Sequence, residues 1–213
     1  MKPWELVAAF NAERLIELAR IVLKIRYRAL LDHRPTLGDG PWGLGTRVHE
    51  RMIKQLAKLS LRKLPWLIVR LDGLYISLKI DSYPIRIYRG PADNPKSNAL
   101  EGGVRDVEEL VENEGYLKGF EPDADGMDWF WLMAIETVGH GTPVRIIVQQ
   151  ANLAGQTRNP WIVPVDLEAI EMEAAAEAAA DSPSGPMAKP PIEVDKATVK
   201  PKGDRRGATD ERG

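Results

Sequence analysis

The first third of the chain places its apolar residues at helical spacing. From Pro3, which suits a first helical position, to about Leu31, Val7, Leu15, Leu18, Val22, Ile25 and Ala29 recur with the helical period, which predicts one long amphipathic helix. Glu13 and Glu17 precede Arg20, Lys24 and Arg28 on its polar stripe, acids toward the positive end of the dipole and bases toward the negative end. Asp32 to Gly45, rich in Gly and Pro, reads as a loop. Thr46 is then the expected N-cap of a second helix that stops at Leu64, before Pro65. At about 100° per residue, Arg47, Arg51, Lys54, Lys58 and Arg62 gather within roughly 80° of one another, with Val48, Met52, Leu56 and Leu59 on the neighbouring face. This is a basic stripe backed by a core face.

The period then changes to that of strands. Leu67 to Leu71, Leu74 to Ile80 and Tyr83 to Arg89 are separated by Asp72-Gly73 and Asp81-Ser82, and Asp-Gly between alternating runs signals a hairpin. Pairing Leu71 with Leu74 sets Val69 beside Ile76 and Leu67 beside Leu78. The second turn sets Leu78 beside Ile85 and Ile76 beside Ile87, so both hairpins choose one apolar face. The other face carries Arg70, Tyr75, Ser77, Lys79, Arg86 and Tyr88, with Tyr75 across from Tyr88. Aromatics interleaved with bases are what single-stranded nucleic-acid platforms use. The polar face of an antiparallel sheet looks the same, and a helix could cover it.

Gly90 to Gly103 reads as a loop, Val104 to Asn113 as a short acidic helix, and Gly115 to Asp128 as a polar connection. Trp129 to Val138, Val144 to Gln150 and Trp161 to Val165 form a second meander, whose register sets Glu136 opposite Arg145. Asp166 to Ala180 is an Ala/Glu-rich helix, and the proline-bearing residues 181–213 have the composition of a disordered tail. The expected fold is α+β: two N-terminal helices packed on antiparallel sheet made of two three-stranded meanders, plus a C-terminal helix and a disordered tail. One domain spans 1–180, with a helical part at 1–64, the meanders at 66–165 and the acidic helix at 166–180.

Charge sharpens this picture. Residues 1–90 hold 17 Lys plus Arg against 8 Asp plus Glu, and residues 91–180 hold 5 against 17, although the whole chain of 213 residues nets −2. Such asymmetry points to an acidic partner for the first part or to mutual neutralisation within the fold. The absence of cysteine removes disulfide scaffolds, thiolate metal sites and cysteine nucleophiles. The longest apolar run, Trp129 to Ile135, is far short of a membrane helix, and the opening Met1-Lys2-Pro3-Trp4-Glu5 has no signal-peptide pattern. A soluble cytoplasmic protein without membrane contact is expected.

Motifs of catalysis and cofactor binding are incomplete. Gly38 to Gly43 satisfies GxGxxG by letter, yet follows a helix rather than a strand. The surviving possibility there is an anion site formed by Gly43, Gly45, Thr46 and Arg47 at the start of the second helix. His49-Glu50 begins a zinc-protease pattern that Ile53 breaks, and His33, His49 and His140 have no metal-ligand spacing. No metal, cofactor or catalytic residue is assigned. The function expected is a non-enzymatic nucleic-acid-binding module, for single-stranded or structured nucleic acid, using Arg47, Arg51, Lys54, Lys58, Arg62, Arg70, Tyr75, Lys79, Arg86 and Tyr88. One alternative is a protein-interaction or structural subunit whose basic and acidic halves neutralise each other or an acidic protein partner. A third is a phosphodiester-cleaving enzyme acting through His33 or Glu136.

Overall fold

The computed structural model describes residues 1–72, 75–122, 124, 126 and 128–181, and only the backbone of Asp72 and Tyr75. The sequence's disordered-tail segment thus lies, apart from Asp181, outside the described residues. The fold is α+β, as expected. Its first long helical stretch is broken: α1 (Pro3–Leu6) ends at Val7, and Asn11 caps α2 (Ala12–Leu31) by accepting the Arg14 N–H at 2.9 Å. The bend lets Phe10 insert edge-on against Trp131, with ring centroids 5.3 Å apart. Helix α2 is enclosed on most sides, burying Leu15, Leu18, Val22, Leu23, Ile25 and even Arg26.

After a short 3-10 turn at Pro35–Leu37, α3 runs from Pro41 to Arg62. It starts earlier than the glycines suggest, because Pro41 supplies the fixed φ of a first helical position and Gly40 takes the extended cap conformation. Thr46 is therefore not the N-cap; its hydroxyl donates back to the Trp42 carbonyl at 3.2 Å within the helix.

Strands β1 (Leu67–Asp72) and β2 (Tyr75–Ile80) pair antiparallel, with Leu67 opposite Ile80, Val69 opposite Leu78 and Asp72 opposite Tyr75. The register differs from the expected one by two positions, which preserves the faces; the intervening Gly73 and Leu74 lie outside the described residues. The second hairpin has the expected register: β3 (Tyr83–Pro84) sets Ile80 opposite Tyr83, and Ile85 N–H reaches the Leu78 carbonyl at 2.9 Å. The chain then leaves this sheet. Pro84 has no N–H to extend the ladder, and β4 (Arg86–Arg89) pairs parallel with Leu132–Ile135 of β5 (Phe130–Val138). Tyr88 consequently lies beside Ala134 in the second sheet rather than across from Tyr75.

That second sheet has the order β4-β5-β6-β7, with β6 spanning Thr142–Ala151 and β7 Thr157–Ile162. Its β5-β6-β7 part is a meander as expected, although β7 starts at Thr157 and ends at Ile162 instead of spanning Trp161 to Val165, and Glu136 stands opposite Arg145. Helix α4 (Ser97–Glu114) begins well before Val104, inside the segment that reads as a loop. Its Gly102 and Gly103 carry a helix-propensity cost, but a methyl at either would run into the Arg86 guanidinium or the Phe130 ring. The glycines let α4 sit close on β4 and β5 of the second sheet.

Helix α5 (Leu167–Asp181) buries only Ile170 and Ala174 among its side chains and runs parallel to α2. The pairs Arg20–Glu173 (3.0 Å), Lys24–Glu177 (2.8 Å) and Arg28–Asp181 (2.5 Å) climb both helices in step. Among the described residues, no helix is long and apolar enough to cross a membrane.

Candidate nucleic-acid interface

Most bases of the N-terminal part fall into three groups. Arg20, Lys24 and Arg28 of α2 face the acids of α5, and Lys24 has its pKa raised, chiefly by its hydrogen bond to Glu177. Arg70 and Lys79 of the three-stranded sheet and Arg86 of β4 face α4: Arg70 contacts Glu109 at 2.7 Å, Lys79 the same carboxylate at 3.5 Å, and Arg86 meets Asp106 at 3.1 Å. Lys79 is buried. Burial raises the Asp106 pKa, and the Arg86 charge opposes that rise.

The third group is the α3 stripe, and it divides in two. Arg47 donates to the Asp32 carbonyl at 3.0 Å and lies 3.5 Å from Asp39, and Arg51 pairs with Asp32, so the first turns tie the preceding loop to the helix. Asp39 is held below the ordinary carboxylate range, first by the Arg34 N–H and also by Arg47. Lys54, Lys58 and Arg62 are exposed, and among the described residues none of them has an ion-pair partner. Spaced four apart, they span about 12 Å along one helix face. Leu61 beside them is 87% exposed.

The expected aromatic platform is not assembled. Tyr88 is half-buried, its hydroxyl donates to the Pro91 carbonyl, and burial, with Glu136 and Asp93 nearby, pushes its pKa up to about 12. Nothing is described of the Tyr75 side chain. In the expected anion site, Gly43 lies in the first turn of α3, whereas Gly45 and Thr46 lie within the helix and Arg47 is engaged by Asp32 and Asp39.

The structure brings together residues that are far apart in sequence. A cleft of about 790 Å³ is lined by His33, Asp39, Arg89, Lys96, Glu136 and His140, among others. The His33 Nδ1 is buried and has no hydrogen-bond partner among the described residues, and Asp39 lies 3.8 Å away. Glu136 is not free for acid–base work: it accepts from the Ala92 N–H at 2.9 Å and pairs with Arg145, which together hold its pKa low. Gln149, also buried, donates to the Ala92 carbonyl, so the segment over the sheet is clamped at both its N–H and C=O. Trp42, 83% exposed at the start of α3, is another residue that sequence reasoning passed over; a large aromatic in a Gly/Pro-rich stretch was its available signal. Among the described residues, no group of three or more His, Asp and Glu could hold a metal ion.

Fold and surface define an α+β domain with a basic face on α3 that is unpaired among the described residues. No protein-family model matches the chain, and no curated protein or solved structure matches it.

Proposed function

We propose that the protein is a non-enzymatic nucleic-acid-binding module that contacts phosphates through the outer face of α3. The observation that carries this reading is the contrast between basic groups. Arg20, Lys24 and Arg28 of α2 and Arg70, Lys79 and Arg86 of the sheets are matched by acids of α5 and α4, whereas Lys54, Lys58 and Arg62 stand exposed and unpaired among the described residues. Bases on a rigid helix at regular intervals neutralise successive phosphates without ordering a loop. Compared with the wider surface expected from sequence, the contact is smaller and lacks the tyrosine pair.

Binding of a fluorescein-labelled single-stranded oligonucleotide at low salt tests the proposal. Replacing Lys54, Lys58 and Arg62 by Gln should weaken binding about tenfold or more, while Arg70→Gln, which alters a base facing α4, should leave it unchanged. Equal losses from both variants would remove the distinction on which the reading rests. A second reading, a protein-interaction subunit, is favoured by the internal neutralisation of the two halves; the module would then bind an acidic protein surface through the same α3 face.

A further inference from the structure

A second cavity, of about 290 Å³, lies between α3, the three-stranded sheet and β4. Its volume is at the small end of the range for ligand pockets. Val48, Met52, Leu78 and Ile135 supply apolar walls, and every charged group on its lining is an arginine: Arg26, Arg86 and Arg89. Arg86 is answered by Asp106 at 3.1 Å. The other two are not answered by any acid among the described residues.

Arg26 is 2% exposed, and its Nε and Nη2 both donate to the Gly141 carbonyl, at 2.8 and 2.5 Å. A carbonyl supplies hydrogen-bond acceptance but no net charge, and a guanidinium has further N–H donors beyond these. Arg89 stands close enough to oppose it: burial, and then the Arg89 charge, lower the Arg26 pKa to about 10. Two neighbouring cations facing an apolar cavity are costly to maintain unless an anion joins them. Arg89 also lines the open groove beside Trp42 and His49, which gives a ligand a way in.

We propose that this cavity binds a small amphipathic carboxylate, its two oxygens between Arg26 and Arg89 and its apolar body against Val48, Met52 and Ile135. A monoanion suits the site better than a phosphate dianion. Much of the lining is apolar, and Arg26 has already committed donors to Gly141, so a third phosphate oxygen would be desolvated without a partner. This inference does not depend on the nucleic-acid reading of α3.

Calorimetric titration of the full chain with octanoate, acetate and inorganic phosphate tests it, with thermal melts alongside. Octanoate should bind at least about tenfold more tightly than acetate, because its methylenes leave water, and should raise the melting temperature. Arg89→Gln, a change at an exposed residue, should weaken octanoate about tenfold while leaving the melting temperature of the free protein unchanged or higher. Absence of octanoate binding, acetate or phosphate binding as tightly as octanoate, or an Arg89→Gln protein that binds octanoate like the parent would each overturn the proposal.

Discussion

Replacing Glu136 by Ala removes two interactions of unequal weight. The Glu136 side chain, 14% exposed, accepts from the Ala92 N–H at 2.9 Å and pairs with Arg145, whose own side chain is 52% exposed. Ala92 is 4% exposed and cannot turn to water, so losing its charge-assisted partner should cost about 1.5–3 kcal/mol. Arg145 can rehydrate, and its share is about 0–1 kcal/mol. Urea melts at neutral pH should therefore place Glu136→Ala about 2–3 kcal/mol below the parent, and Glu136→Gln, which keeps an acceptor for Ala92, within about 1 kcal/mol of it. Acid supplies an independent check. The folded-state pKa of Glu136 lies below its ordinary 4.5, first through Arg145 and also through the Ala92 N–H. Its contribution is then present above that ordinary value and lost as pH falls through the folded pKa, so the gap between parent and Glu136→Gln should narrow in acid. An Ala variant losing under about 0.5 kcal/mol, or a Gln variant as damaged as the Ala variant, would refute the assignment of weight to the Ala92 clamp.

Three further outcomes follow from the same contacts. Gly141 has φ +104 and its Cβ position is occupied by the Arg26 guanidinium, so Gly141→Ala should lower stability by about 1–3 kcal/mol in denaturant melts. Glu177→Lys should weaken the docking of α5 by about 0.5–1.5 kcal/mol at low salt, since it reverses contacts to Lys24 and Arg28 that are partly solvent-screened, and the effect should shrink in high salt. Truncation after Asp181, which keeps the Arg28 contact, should leave the melting temperature nearly unchanged, because residues 182–213 have few residues capable of making a core.

Local signals were legible where one physical cause dominated. The Asp81-Ser82 turn and the alternation around it specify the β2–β3 register, and the pattern from Trp129 to Gln150 specifies Glu136 opposite Arg145. The first hairpin's two-position shift left its faces intact, because strand periodicity constrains faces more strongly than register. What failed to show was long-range or compensated. The parallel pairing of Arg86–Arg89 with Leu132–Ile135 has no turn to announce it. Gly102 and Gly103 read as breakers because the close approach of Arg86 and Phe130 that tolerates them is tertiary. For the candidate site, amphipathic periodicity located the α3 stripe, but only the fold separates Lys54, Lys58 and Arg62 from Arg47 and Arg51, which hold Asp32 and Asp39. The cleft with His33 and His140, and the Arg26–Arg89 cavity, join segments too distant in sequence for any spacing rule to connect.

The salt dependence of nucleic-acid affinity tests the central claim most directly, because it counts the phosphates neutralised. Three unpaired bases on α3 imply a slope of log affinity against log salt of about −2 for a single strand, so affinity should fall about sixteenfold between 50 and 200 mM salt. Replacing Lys54, Lys58 and Arg62 by Gln should abolish most of that slope, and Tyr88→Ala should leave it unchanged. A slope near −5 or steeper would mean that bases now paired with α4 and α5 also contact phosphate, and absence of binding at micromolar protein in low salt would contradict the account outright.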